Sequence, residues 1–209
     1  MTPFVRSELI VNDAARLLAD LGRGEGRRSF LVTGCMGGEG TTTLAIALAR
    51  AARKLDGTKA LLIDADLATS GLSRLANSAN RTGMRQLPEK PDLYPHAVLQ
   101  VGSDLDILPA GSEPGAGMSE LVAAGALETL LSAAFRDYRY VFWDTHALGR
   151  SADTGLLMTV VPGVILVTES DVTRMDQLSS RLAEIANARA HAVAVLRNRA
   201  GRRPFSAGP

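Results

Sequence analysis

A single cysteine, Cys35, is all the sulfhydryl chemistry that 209 residues contain. No disulfide can form within the chain and no cysteine-based metal cluster can be built from it, which suits a reducing compartment and makes a cytoplasmic setting the expectation. Neither sign of charge is in excess: 23 Lys and Arg stand against 22 Asp and Glu, a formal net of +1, so composition offers no nucleic-acid surface. No apolar run approaches the ~18 to 20 residues that span a bilayer, and no basic-then-apolar leader opens the chain. Membrane association is therefore expected only through a partner. Internal repeats and low-complexity tracts are missing as well. With 46% hydrophobic residues, the length suits one α/β domain with short appendages.

What is present is an alternation of helical periodicity and short apolar runs. Ile10, Ala14, Leu17, Leu18 and Leu21 recur at helical spacing over 8–21, and the glycines Gly22, Gly24 and Gly26 read as a stop. Residues 1–28 are thus a leading helix and linker, 29–199 the main domain, and 200–209 a flexible tail. Strands are expected over 29–33, 59–63, 105–109, 140–143, 164–168 and 192–196. Helices are expected over 42–55, 119–135 and 174–188. The stretch 68–100, broken by Asn77, Asn80, Gly83, Pro88, Pro91 and Pro95, reads as short helical pieces and loops. Strands that are unbroken apolar runs alternating with helices predict a three-layer α-β-α fold around a mostly parallel, doubly wound sheet.

Between the first strand and the helix that follows lies Gly37-Gly38-Glu39-Gly40-Thr41-Thr42-Thr43. A phosphate-binding loop reads G-x-x-x-x-G-K-[ST], its backbone N–H groups wrapping phosphate oxygens and its lysine reaching the outer phosphates. Here Cys35 replaces the first glycine and Thr41 the lysine. Thr42 keeps the hydroxyl position that holds Mg²⁺, and the helix N-terminus still aims its orphan N–H groups at an anion. Three acidic residues close strands: Asp64 and Asp66 after Ile63, Asp144 after Trp143. Ligands of open parallel sheets bind beyond those strand ends, and a phosphate-bound Mg²⁺ needs only one or two carboxylates. Glycine turns, threonine caps and strand-end aspartates each also have purely structural uses; their coincidence favours a nucleotide site. His96, His146 and His191 show no ligand spacing, and Cys35 reads as a small space-filler.

The chain resembles the cytoplasmic ATP-binding domain of bacterial tyrosine kinases that pair with polysaccharide co-polymerases, which belong to the wider MinD/ParA-like group of P-loop ATPases. Gly38-Glu39-Gly40 with the hydroxyl run matches the loop, Leu62-Ile63-Asp64-Ala65-Asp66-Leu67 the second acidic motif, and Tyr140-Val141-Phe142-Trp143-Asp144-Thr145 the Walker B strand. Leu196-Arg197-Asn198-Arg199 resembles the end-strand motif that faces adenine. The resemblance implies ATP or ADP with Mg²⁺ as ligands, Gly37 to Thr43 and Asn198 around the nucleotide, and Thr42, Asp64 and Asp144 around the metal. It gives Asp64 and Asp66 the catalytic roles in an active kinase, and a membrane co-polymerase or synthase, or a second copy, as partner. Departures cut against fast transfer: Thr41 and Met36 stand at both lysine positions, His146 replaces a proline, Leu67 replaces a basic residue, and the last ten residues hold no tyrosine. The loop also resembles that of the cellulose-synthesis accessory ATPase of the same group, which implies nucleotide binding without the lysine.

Magnitudes separate binding from transfer. A charged hydrogen bond to phosphate contributes roughly 1.5 to 3 kcal/mol, so its loss weakens binding about ten- to hundredfold. A cation on the transferring phosphoryl group contributes on the order of 10³ to 10⁵ in rate. The expectation is a regulatory ATP-binding subunit of polysaccharide synthesis and export, feeble in phosphotransfer. An active autokinase, a MinD/ParA-like spatial organiser (for pili, for example) and a nucleotide-free scaffold are the alternatives.

Overall fold

Runs such as Ala60–Asp64 and Tyr140–Asp144, buried at every position, leave a strand no solvent face, so each has to lie inside a sheet covered on both sides. The computed structural model describes residues 8–21, 26–57, 59–103 and 105–199. Among them, β1 (Arg28–Gly34), β2 (Ala60–Asp64), β3 (Leu99–Val101), β4 (Leu105–Leu108), β5 (Tyr140–Asp144), β6 (Gly163–Glu169) and β7 (His191–Asn198) form one sheet in the order β3-β4-β2-β5-β1-β6-β7. All pairs are parallel except β3 with β4. The helices are α1 (Glu8–Leu21), α2 (Thr41–Asp56), α3 (Gly71–Leu75), α4 (Tyr94–Ala97), α5 (Met118–Ala123), α6 (Ala126–Asp137), α7 (Ala152–Leu157) and α8 (Met175–Asn187). The expected stop over 22–25 and the tail over 200–209 lie outside the described residues. No helix of the described residues is long and apolar enough to cross a membrane.

Alternation along each strand sends neighbouring side chains to opposite faces. Phe30, Val32, Leu62, Tyr140 and Phe142 join α1 and α2 in one core, with Ala14 and Leu18 of the leading helix built into it. Leu31, Leu61, Ile63, Val141 and Trp143 join α5, α6, α7 and α8 in the other. The buried alanines 45, 47, 49, 51 and 52 give α2 a thin face that lies close over the sheet. Gly57 at φ 76° ends that helix, its N–H donating to the Arg53 carbonyl.

Two sequence expectations need correction. The single helix expected over 119–135 is two, because Gly125 takes a left-handed conformation (φ 62°) between them. The apolar positions on either side continue one pattern in sequence, but Met118 and Leu121 belong to α5 and Leu127, Leu130 and Ala134 to α6. The three-residue strand β3 was not expected: its burial is only partial, and it is fixed by antiparallel pairing with β4 rather than by an apolar run.

The segment 68–100 does consist of short pieces: α3, α4 and single 3-10 turns at Met84–Gln86 and Pro91–Leu93. Met84 and Arg85 donate their backbone N–H groups to the carbonyls of Pro109 and Ala110, pinning this segment to the loop after β4. Gly83 lies against that loop so closely that a β-carbon there would fall 2.3 Å from the Pro109 carbonyl oxygen and 2.5 Å from the Gly111 nitrogen. Both obstacles are backbone and cannot swing aside. Gly83→Ala is expected to destabilise the fold by roughly 3 kcal/mol, the upper end of ordinary overpacking, read as a lowered urea midpoint at unchanged slope.

Candidate functional site

At the centre of the sheet β1 lies between β5 and β6 while β2 flanks β5, so the chain leaves β1 in one direction and later returns to its other side. A crevice opens at the carboxyl ends of strands where such a reversal occurs. The loop Cys35 to Gly40 fills this position. Gly37, Gly38 and Gly40 have φ values of 103°, 93° and 85°, a region in which any β-carbon is strained. Cys35, fully buried, packs beneath them, its thiol raised by burial and by the Glu39 charge.

Glu39 holds the loop from within. Its carboxylate accepts the N–H groups of Met36 at 2.5 Å and Gly37 at 2.7 Å, and only 3% of the residue is exposed. Gly34 makes room for it: a β-carbon there would lie 2.5 Å from Glu39 Oε2 and 3.0 Å from Thr41 Oγ1. Asn198, at the end of β7, donates from its side-chain amide to the Glu39 carbonyl at 2.7 Å and accepts the Arg199 N–H on Oδ1. The structure thus engages both Glu39 and Asn198 in bracing the loop, and neither side chain is part of the cleft wall.

The cleft itself, about 440 Å³, is lined by Gly37, Gly38, Gly40, Thr41, Thr42 and Thr43 on one side and by Asp66, Thr69, Thr145, His146, Ala147 and Arg150 on the other. That volume is within the range of small-molecule sites. Asp64 and Asp144 are buried next to that lining, two residues from Asp66 and one from Thr145, and are paired in register across β2 and β5. Asp64 Oδ2 accepts the N–H and hydroxyl of Ser73 at 2.7 and 2.6 Å, and that same hydroxyl oxygen receives the Ala110 N–H at 3.0 Å. The other oxygen, Asp64 Oδ1, is buried without a hydrogen-bond partner, and so is Asp144 Oδ1. Burial, opposed by the Ser73 hydrogen bonds and reinforced by the Asp66 charge, pushes the Asp64 carboxyl up to about 6. Asp144 is raised well above the carboxylate range by complete burial and then by the Asp64 charge, against a hydrogen bond from the Thr42 side chain.

Asp66 is in the opposite condition. Burial pushes its carboxyl up, but the Thr69 and His146 hydrogen bonds outweigh it and leave the group below its usual range. Thr69 donates its N–H to Oδ1 at 3.0 Å and its hydroxyl to Oδ2; His146 Nδ1 lies 3.1 Å from Oδ2. The structure therefore brings Thr42, Asp64 and Asp144 together as one set and holds Asp66 beside them as a fixed anion.

The donor set fits a hard divalent cation. Two buried carboxylate oxygens without partners, near a hydroxyl, cost free energy when ionised, a cost that a proton or a cation relieves, and oxygen ligands of this kind suit Mg²⁺. Sequence reasoning missed Ser73 and Arg150, and it read His146 only as a loop residue in place of a proline. Ser73 and Arg150 carry no local signal, because each reaches its partner only through the fold. Thr69, three residues after Asp66, follows the D-x-x-T spacing of a side-chain-to-backbone turn and was legible.

A mostly parallel sheet with its glycine loop at the switch point and covered faces is the P-loop nucleotide-hydrolase fold shared by bacterial tyrosine kinase domains and MinD/ParA-like ATPases. The family model described as cellulose biosynthesis protein BcsQ matches residues 28–200, and the chain belongs to that family. It is 28% identical over 173 residues to the tyrosine-protein kinase YwqD of Bacillus subtilis, covering 82% of this chain and 72% of that one. It is 29% identical over 182 residues to the succinoglycan biosynthesis transport protein ExoP of Rhizobium meliloti, which is 80% of this chain but only 23% of that protein's length. Among solved structures, the kinase domain of VpsO superposes with a TM-score of 0.81 at 25% identity, covering 92% of this chain and 94% of that one.

Proposed function

We propose that this chain is an ATP- and Mg²⁺-binding regulatory subunit of bacterial exopolysaccharide synthesis and export, cellulose being the polymer its family description favours. It acts at the cytoplasmic face of the membrane through a synthase or co-polymerase, transfers phosphoryl groups feebly, and signals by its bound state, alone or as a pair of copies. The observation that carries this reading is the pair of unpartnered oxygens on Asp64 and Asp144, beside Thr42, at the mouth of a glycine loop without a lysine. Thr42, Asp64 and Asp144 would hold Mg²⁺, and the loop's N–H groups and Thr43 the phosphates. The metal, when bound, supplies charge neutralisation at the phosphates. Ser73 fixes which Asp64 oxygen faces it, and Asn198 and Glu39 keep the loop open in the shape of its ligand.

Feeble transfer is supported by the tyrosines. Tyr94, Tyr138 and Tyr140 are 7%, 9% and 1% exposed, and burial pushes the phenols of Tyr94 and Tyr138 well up, so none is presented as an acceptor. The test is calorimetric titration with Mg²⁺-ATP. Wild type is expected to bind in the micromolar to sub-millimolar range, and Thr41→Lys to bind about ten- to hundredfold more tightly through one charged hydrogen bond to phosphate. Absence of binding at millimolar ATP or ADP would overturn the proposal, as would robust tyrosine phosphorylation by the wild-type protein.

A further inference from the structure

A phosphate-binding cleft that carries the Asp66 carboxylate in its lining and lacks a lysine needs a cation from elsewhere. Among the described residues that line it, Arg150 is the only arginine or lysine, and His146 is engaged by Asp66. Arg150 ends the single turn Leu148–Arg150 that follows β5, and its backbone N–H donates to the Ala147 carbonyl. Its Nε donates to the Met36 carbonyl at 2.6 Å, which ties the side chain to the very residue where the sequence lacks its second loop lysine. Gly37 makes this approach possible: a β-carbon there would lie 3.0 Å from Arg150 Nε and 3.2 Å from Cδ.

A guanidinium held by Nε still has two terminal nitrogens, and no carboxylate among the described residues forms an ion pair with it. Those nitrogens form a planar fork whose spacing matches two phosphate oxygens. The other nearby arginine, Arg181, is paired with Glu184.

We propose that Arg150 takes over the work of the missing loop lysine, binding the outer phosphates of a nucleoside triphosphate from the opposite wall of the cleft. The inference rests on the nucleotide-binding reading above. Arriving from the loop after β5 instead of from the phosphate loop, the cation is tethered to Met36 and so couples the two loops when the ligand is bound.

The experiment is calorimetry of the full chain and of Arg150→Ala with Mg²⁺-ATP, Mg²⁺-ADP and AMP, with thermal melts to establish that the variant is folded. Arg150→Ala is expected to weaken ATP about ten- to hundredfold, ADP less, and AMP not at all. Adding Thr41→Lys to Arg150→Ala is expected to restore most of the ATP affinity, since a cation returns to the same phosphates. Equal weakening of ATP, ADP and AMP would mean that Arg150 only shapes the loop and would overturn the proposal. So would unchanged affinities in Arg150→Ala when wild type binds ATP. Wild type that binds no nucleotide at all would overturn the nucleotide reading itself, and this inference with it.

Discussion

Asp64→Asn is expected to raise the melting temperature of the nucleotide-free protein at pH 8 by about 6 to 12 °C, and to abolish the further rise expected of the wild type with Mg²⁺-ATP. The sign follows from the carboxyl's position. Its folded-state value of about 6 lies above the ~3.9 of an unfolded aspartate, so the neutral form is the one the fold favours. Stability from this group is complete below about pH 4 and is lost as pH rises through about 6. At pH 8 the ionised group costs on the order of 3 kcal/mol, which an amide would not. In a domain of this length that amounts to the melting shift given. The asparagine keeps an oxygen for Ser73 and offers an N–H where Oδ1 had no partner, beside the equally unpartnered Asp144 Oδ1.

The gain should therefore shrink to near zero at pH 4, where the wild-type carboxyl is protonated. Melting curves of both proteins at pH 4, 6 and 8, with and without Mg²⁺-ATP, would read all of this together. A variant no more stable than wild type at pH 8 would mean that Asp64 is not held against its charge. Stabilisation by Mg²⁺-ATP that survives the substitution would remove Asp64 from the metal set. A site that is destabilising when empty and relieved by its ligand is the usual form of a functional cluster in a fold of marginal stability.

Trp143→Ala is expected to cost about 3 to 5 kcal/mol, a large part of the ~5 to 15 kcal/mol that holds a domain together. The sole tryptophan has no solvent exposure, lies in the core beneath α5 to α8, and donates its indole N–H to Ser29 Oγ at 2.8 Å. Removing it leaves a cavity in that core and removes the side-chain hydrogen bond from β5 to β1. Urea unfolding followed by far-ultraviolet circular dichroism is the right measurement, because the substitution removes the indole fluorescence. Trp143→Phe should cost markedly less by refilling most of the volume. Equal losses for Ala and Phe would locate the effect in the hydrogen bond to Ser29 rather than in packing.

Much of this was legible before any fold was known, for a physical reason. Strands such as Ala60–Asp64 and Tyr140–Asp144 announce themselves because full burial requires an unbroken apolar run. Gly37, Gly38 and Gly40 announce themselves because three positive φ values in six residues admit little else. The failures share a cause too. β3 exists only through its pairing with β4, and α5 and α6 part at one glycine whose left-handed turn no periodicity count detects. The hydrogen bonds by which Glu39 and Asn198, expected around a nucleotide, brace the loop from inside and behind were likewise beyond any local pattern.

The sequence alone determined the sheet type, the phosphate loop and its missing lysine, and the three strand-end aspartates, because each is written in consecutive residues. Tertiary structure decided what those residues do to one another. Only the insertion of β5 between β1 and β2 sets Asp144 beside Asp64, leaving one buried oxygen on each without a partner. Only the same insertion carries Arg150 across 114 residues of chain to the Met36 carbonyl. Contacts of that kind depend on strand order, and strand order is fixed by how two cores close over both faces of the sheet, which no local pattern encodes.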